Sequence, residues 1–324
     1  MQDCETLAVV IPVYKGASSL PAVVEEIIAL SATLGDRQLE LTEIVLVHDG
    51  AVDESARVIL ELEQASALVR PVWLSRNFGQ HAATFAGCAS TTADWVATMD
   101  EDGMHDPAAM TAMVETARVE GRDLVYALSP STPHSRWRAA TSAAAKRVAE
   151  RLLGVPGASR FSSFRMMDGR IARALAAYCG HGVFFDVAAL WVFSSSGTVE
   201  HAFRAELRED TSGYRLHSLL THFRRLTVTA GARPLRIAAG LGLVATLLGF
   251  AGALYVAVAR LSGALVVPGW ASVMVVMIGF FGLVLFVLGV MAEYLSAALG
   301  MVSGRPPYLI VGQPPRSARS SPPR

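Results

Sequence analysis

The chain predicts an α/β fold, a mostly parallel sheet with helices on both faces, followed by two membrane-spanning helices. Three observations lead there. Short apolar runs of strand length alternate four times with stretches of helical spacing. Polar residues collect just past the ends of those runs. The last third holds two long apolar segments without a charge, which account for a mean hydropathy of +0.40.

The first run, Leu7 to Tyr14, reads as a buried strand whose end is marked by Pro12. Leu20 to Leu34 then places Leu20, Val23, Val24, Ile27, Ile28 and Leu34 on or near one helical face. Glu43 to Gly50 is a second strand ending in Asp49-Gly50, and a helix follows from Asp53 to Ala67. Val72-Trp73-Leu74 is a third strand, which breaks into Ser75-Arg76-Asn77-Phe78-Gly79-Gln80-His81 before a helix from about Ala82 to Ser90. The fourth strand starts at Trp95 and stops abruptly on Asp100-Glu101-Asp102-Gly103-Met104-His105-Asp106-Pro107. Tyr14, Asp49, Arg76, Asn77, Asp100 and Asp102 thus lie beyond strand ends, where open sheets of this kind bind ligands.

Asp123 to Tyr126 reads as a fifth strand. Ser135 to Leu153 is helical, with Arg136, Arg138, Lys146, Arg147 and Arg151 among apolar residues. Its pattern suits a solvated amphipathic helix and equally a basic face resting on an anionic bilayer. Ser162 to Asp168 precedes a helix through Ala177, and Val183 to Phe193 is strongly apolar around a single acid, Asp186. Val199 to Leu207 is an expected strand, and Arg208 to Tyr214 a mobile loop.

Tyr214 to Thr229 has the spacing of an interfacial amphipathic helix. Ile237 to Ala259 is 23 residues without a charge, long enough at about 1.5 Å per residue to cross a bilayer core. Trp270 to Ala292 is a second such run. Arginines flank the pair on its outer ends (Arg215, Arg224, Arg225, Arg233 and Arg236 before, Arg305, Arg316, Arg319 and Arg324 after), while the connection holds only Arg260. The positive-inside rule then predicts a multi-pass protein of the cell (inner) membrane with both termini and the α/β domain cytoplasmic. Gly240, Gly242, Gly249 and Gly252 permit close helix packing and hence a homo-oligomer. Ser317 to Arg324 is Ser/Pro/Arg-rich and reads as disordered.

Other classes drop out. Twenty-eight basic residues balance twenty-eight acidic ones, so no global charge points to nucleic acid. Cys4, Cys88 and Cys179 are widely spaced and form neither a zinc pattern nor a disulfide framework. No signal-type apolar run opens the chain. Neither a Gly-x-Gly-x-x-Gly turn nor a Walker lysine motif is present. Asp100 and Asp102, one residue apart at a strand end, suit a hard divalent cation that bridges the phosphates of a nucleotide. They also read as an acidic turn leading into a helix capped at Asp106. A cytoplasmic nucleotide-type domain tethered by a hairpin suits an enzyme with one soluble substrate and one lipid substrate.

In these motifs the chain resembles the membrane-anchored family 2 glycosyltransferases of the polyprenyl-phosphate or dolichyl-phosphate sugar synthase type. The resemblance runs from Val9 to about Ile310. It rests on Val10-Ile11-Pro12-Val13-Tyr14, Val47-His48-Asp49-Gly50 with Asp53, Ser75 to His81, Asp100 to Pro107 and Ser163-Phe164-Arg165-Met166-Met167-Asp168. Arg208, Ser212 and Tyr214 match the family's mobile loop; Glu293-Tyr294-Leu295 and Gly304-Arg305-Pro306-Pro307-Tyr308 match the segment after its hairpin.

The resemblance implies a GT-A-like (nucleotide-diphospho-sugar transferase) catalytic domain over residues 1–213, an interfacial helix over 214–234, a transmembrane hairpin over 235–299 and a cytoplasmic tail over 300–324. It implies transfer of a sugar from a nucleotide-sugar donor to a polyprenyl phosphate with inversion at the anomeric carbon. Pro12, Tyr14 and Asp49 would cradle the nucleoside, Asp49 accepting from the base, with Arg76 and Asn77 alongside. Asp100 and Asp102 would hold Mg²⁺ or Mn²⁺ on the diphosphate, and Arg165 and Arg208 would meet the phosphates. Asp168 would orient, while Arg138, Ser163, Ser212 and Tyr214 would serve the acceptor and the closing loop. Tyr14 also reads as a core aromatic, and Arg165 as the ion-pair partner of Asp168. The chain departs from the family at His48 (usually aspartate), Lys15-Gly16 (commonly Asn-Glu), Met104 (glutamine), Asp210 (glycine) and in lacking an arginine after Tyr126. These departures leave open transfer to another membrane lipid, or a catalytically degenerate membrane scaffold.

Overall fold

In the computed structural model the described residues are 4–51, 53–129, 160–180, 182–202, 204, 233–262 and 269–314. The basic helix expected over 135–153, the interfacial helix over 214–234 as far as residue 232, and Arg138, Arg208, Asp210, Ser212 and Tyr214 lie outside them.

Strands β1 (Glu5–Val13), β2 (Leu39–His48), β3 (Val69–Leu74) and β4 (Trp95–Thr98) pair in parallel, β1 lying between β2 and β4. Their near-continuous apolar runs are what a sheet covered on both faces requires. Three further strands, β5 (Leu124–Leu128), β6 (Arg165–Asp168) and β7 (Ser196–Glu200), extend it beyond β4. β6 runs antiparallel between β4 and β5, and β7 lies parallel to β5. β8 (Ile310–Val311) pairs antiparallel with β3, giving an eight-stranded sheet in the order β7-β5-β6-β4-β1-β2-β3-β8.

Helices α1 (Leu20–Leu34), α2 (Ser55–Ala65) and α4 (Ala109–Glu120) cover one face, packing on Leu7, Val9, Ile11, Ile44 and Leu46. α3 (Gln80–Ser90), α5 (Gly169–Tyr178) and α6 (Phe185–Val192) cover the other, against Val10, Val45, Val47 and Met167. From β1 the chain winds to β2 and β3 on one side and returns to β4 on the other. The strand order therefore reverses at β1, and the crevice between the ends of β1 and β4 is the expected ligand position.

The structure corrects three readings. The strand expected from Val199 to Leu207 is β7 at Ser196–Glu200: it starts earlier, ends at Glu200, and the expected remainder lies partly outside the described residues. Arg165 to Asp168 does form a strand, which four residues between a loop and a helix did not announce. The segment after the apolar runs is more than a tail: α8 (Trp270–Val302) reaches Val302, and β8 returns the chain to the sheet. α7 (Arg233–Leu261) is 29 residues long and touches α8. Among the described residues one helix meets the length and apolarity expected of a membrane span, through Gly279–Ser296 of α8 with mean hydropathy 1.8.

Candidate active site

Five strand ends build the site. The Asp49 N–H donates to the Val13 carbonyl at 2.9 Å, so β1 and β2 keep register to their last residues. This turns the Asp49 carboxylate toward the loop after β3, where it accepts from the N–H groups of Phe78 (2.7 Å) and Gly79 (2.8 Å). Burial pushes its carboxyl above the usual carboxylate range, against the pull of those two N–H groups. Gly50, at φ +62°, lies so close to the loop that an added Cβ would stand 2.5 Å from the Asn77 nitrogen. Arg76 lies over the Phe78 ring, 4.1 Å from its centroid, and both Arg76 and Asn77 are exposed. Tyr14 is 38 % exposed, so it is a surface aromatic at the crevice and not part of the core.

The acidic turn faces these loops. Glu101, between the two aspartates, lies in the turn after β4. It accepts from the N–H groups of Tyr14 and Lys15, both at 2.9 Å, and its carbonyl accepts from the Ser19 hydroxyl at 2.6 Å. An added Cβ on Gly16 would meet this carboxylate at 2.5 Å, which explains the small residue there. Asp100 accepts from the Gln80 amide and from the Ser163 hydroxyl, each at 2.5 Å. Its N–H donates to His105 Nδ1 at 3.2 Å, so that nitrogen carries no proton. Burial raises the Asp100 carboxyl and lowers the His105 imidazole, which stacks on Phe164 with centroids 5.0 Å apart. Asp102 is half-buried, and its Oδ1 accepts from the Met104 N–H at 3.0 Å. Asp106 bonds the Ala108 N–H at 3.0 Å, so the helix-entry role falls to it and not to the acid pair.

Behind the acid pair sits a buried polar group. Arg165 opposes Thr98 across the β4–β6 pair. Its Nη1 lies 2.7 Å from Asp186, and its guanidinium sits 4.4 Å from the Phe185 ring centroid. The Tyr126 hydroxyl donates to the same carboxylate at 3.2 Å, and burial raises the Asp186 carboxyl. The pair expected between Arg165 and Asp168 does not form, because Asp168 lies at the other end of β6, opposite Trp95. There it caps α5, accepting from Arg170 N–H (2.8 Å) and Ile171 N–H (3.2 Å) and pairing with the Arg170 side chain. Asp168 is a helix cap, outside the crevice.

Sequence reasoning passed over Glu101, Gln80, His105, Tyr126 and Arg204, and noted Asp186 only as a buried-looking acid. Arg204 donates its N–H to the Met104 carbonyl (2.8 Å) and pairs with Asp106 (2.8 Å) and Glu26 (2.7 Å). It fastens the chain leaving β7 onto the acidic turn. No spacing signals that contact, since its partners are far apart along the chain. His48, at the tip of β2, is 1 % exposed, and among the described residues neither ring nitrogen has a hydrogen-bond partner; its ring lies 5.2 Å from that of Trp73.

The sheet reverses its strand order at β1 and carries an acid pair at that switch point, and the comparisons with known proteins make the chain a glycosyltransferase. It belongs to glycosyl transferase family 2, whose model matches residues 8–191. It is 31% identical over 310 residues to an undecaprenyl-phosphate 4-deoxy-4-formamido-L-arabinose transferase of Klebsiella pneumoniae, covering 94% of this chain and 92% of that one. Identity to the protein of that name in Pseudomonas paraeruginosa is 31% over 315 residues, covering 94% and 89%. Among solved structures, glucosyl-3-phosphoglycerate synthase from Mycobacterium tuberculosis, in complex with Mn²⁺ and UDP, superposes with TM-score 0.52 at 18% identity over 71% of this chain and 80% of that one. Mannosyl-3-phosphoglycerate synthase from Rubrobacter xylanophilus gives TM-score 0.51 at 17% identity, over 72% and 74%.

Proposed function

We propose that the chain moves a sugar from a nucleotide-diphosphate donor to the phosphate of a membrane polyprenyl phosphate, with inversion at the anomeric carbon. The observation that carries this reading is the acid pair at the end of β4, tied through Glu101 to the loop after β1 and facing the Asp49 loop. The names of the curated relatives point to the same acceptor class.

Asp49, Pro12, Tyr14, Arg76 and Asn77 border the crevice on the nucleoside side. Both Asp49 oxygens already accept backbone N–H groups, so each meets the base with only a remaining lone pair. Asp100 and Asp102 offer carboxylate oxygens to a hard divalent cation. Asp102 Oδ2 accepts no bond from the described residues, and the two groups on Asp100 are neutral donors. The donor set fits Mg²⁺ or Mn²⁺, which when bound neutralises charge on the donor diphosphate; the Met104 sulfur is no ligand for either. Among the described residues no three His, Cys, Asp or Glu side chains gather into a closed metal site.

The acceptor needs little activation. A phosphate monoester with a second pKa of about 6 is largely dianionic at neutral pH and is itself the nucleophile. The obstacle is repulsion between that dianion and the diphosphate, which positive groups at the crevice offset. Arg165, neutralised by Asp186 and buried, supports the Asp100 side of the crevice from behind. Arg208, Arg138, Ser212 and Tyr214 are assigned to phosphates, acceptor and loop. The α7–α8 hairpin spans the membrane with both ends cytoplasmic, with boundaries as the resemblance sets them apart from the returning β8.

Membranes carrying the full chain, given a panel of radiolabelled nucleotide sugars and polyprenyl phosphate, should form a labelled, mild-acid-labile lipid that EDTA abolishes. Label in a different lipid would change the acceptor class, and no label with any donor would leave a non-catalytic scaffold.

A further inference from the structure

The motif Gly304-Arg305-Pro306-Pro307-Tyr308 follows the long apolar helix, and nothing in the reaction above uses it. α8 ends at Val302, and Gly304 at φ +64° provides the left-handed turn that closes a helix. Two consecutive prolines then hold the chain extended, since each fixes φ and bars the helical region to the residue before it. Tyr308 is half-buried against the cluster that contains Leu74, Phe85, Cys88 and Cys179, and Phe78 packs on the same cluster. The Leu309 carbonyl accepts from the Ser75 N–H at 2.9 Å, and Ile310 and Val311 pair with Leu74 and Trp73. Ser75 opens the loop whose Phe78 and Gly79 N–H groups bind Asp49 and whose Asn77 abuts Gly50. One short connection therefore joins the end of α8 to the donor side of the crevice. Its seven residues, Ser303 to Leu309, reach at most about 25 Å when fully extended.

We infer that residues 304–311 are a strut that positions the donor-binding loop, with Tyr308 its principal positioning residue. The strut sets where residues 75–79 stand relative to Asp49, and it fixes that loop to the helix assigned to the membrane. The inference rests on the donor assignment for that loop.

The test uses the full chain in lipid nanodiscs, with Tyr308→Ala, Tyr308→Phe and the double change Pro306→Gly/Pro307→Gly. Amide hydrogen exchange over residues 75–79 should speed up in Tyr308→Ala and in the glycine variant and stay near wild type in Tyr308→Phe. The donor KM should rise about tenfold in Tyr308→Ala, the scale of a small misplacement of a binding group, while the acceptor KM holds. The glycine variant leaves the cluster intact, so it isolates stiffness if Tyr308→Ala unfolds. Unchanged exchange over 75–79 in both variants overturns the strut, as does an equal rise of both KM values. Faster exchange over 75–79 in those two variants, where the wild type itself transfers no sugar, would uphold the strut and remove the proposed reaction instead.

Discussion

Asp49 and Asp100 sit at the ends of neighbouring parts of one sheet, and both have both oxygens engaged, yet they are held in different ways. Asp49 is gripped by backbone N–H groups of Phe78 and Gly79, which belong to the frame itself. Asp100 is held by the side chains of Gln80 and Ser163, which can rotate away, and is backed by the buried Arg165–Asp186 pair. The Asp49 side of the crevice is thus built into the backbone, and the acid-pair side is assembled from side chains. Under the proposed reaction, a fixed cradle would face the part of the donor that only binds and an exchangeable set would face the place where charge develops.

Substitutions test that contrast, and the largest effect is expected behind the acid pair. Arg165→Ala leaves the buried Asp186 without its ionic partner, with only the Tyr126 hydroxyl donating to it, which should cost about 3–5 kcal/mol of stability, read by chemical denaturation of the solubilised chain. A loss under about 1 kcal/mol would mean that the pair is solvated or replaced. Asp102→Ala should come next, lowering transfer by about 10²-fold or more while thermal unfolding stays at the wild-type temperature. Full activity in this variant would remove the acid pair from the chemistry.

Asp49→Asn should show the opposite pattern. Its amide sets an N–H against backbone donors, so about 1–3 kcal/mol of stability should be lost, with the midpoint of denaturation as the measure. If Asp49→Asn impaired only turnover, the two sides of the crevice would be alike after all. The smallest effect belongs to Asp94, on the strand-start side of the sheet. The backbone N–H of Thr6 and then its hydroxyl hold the Asp94 carboxyl below its usual value. A depressed folded-state pKa stabilises above the unfolded pKa and is lost as pH falls through the folded one. Asp94→Asn should therefore lower the melting temperature slightly at pH 7, and the gap should close as pH falls below about 4. A gap that widened in acid would contradict the hydrogen-bond account.

The four parallel strands and their helices were legible because buried parallel strands are long apolar runs, and crossover helices carry their own periodicity. β6 and β8, four and two residues long, carry too little pattern to read, and each is defined by the neighbour it joins. Arg165 and Asp168 show the same limit within the site. Their spacing is visible in the sequence, but which end of an antiparallel strand meets the crevice is decided by its partner, and this sends Arg165 to the site and Asp168 to a helix cap. Asp100 and Asp102 were readable because both lie at the carboxyl end of a recognisable parallel strand. Glu101 between them was not, because its two N–H partners belong to the loop after β1.

The antiparallel placement of β6 also bears on how such a protein diversifies. Leu128 leaves the sheet where Arg165 enters it: Tyr126 is opposite Arg165, and the Ala127 N–H bonds the Phe164 carbonyl at 3.0 Å. Residues 129–164 thus depart from and rejoin adjacent strands at the crevice rim. A longer or shorter connection between those two points leaves the strand pairing unchanged, since loop-closure entropy rises only slowly with length. The fold thus leaves room at the crevice rim for connections of different length without rebuilding the sheet.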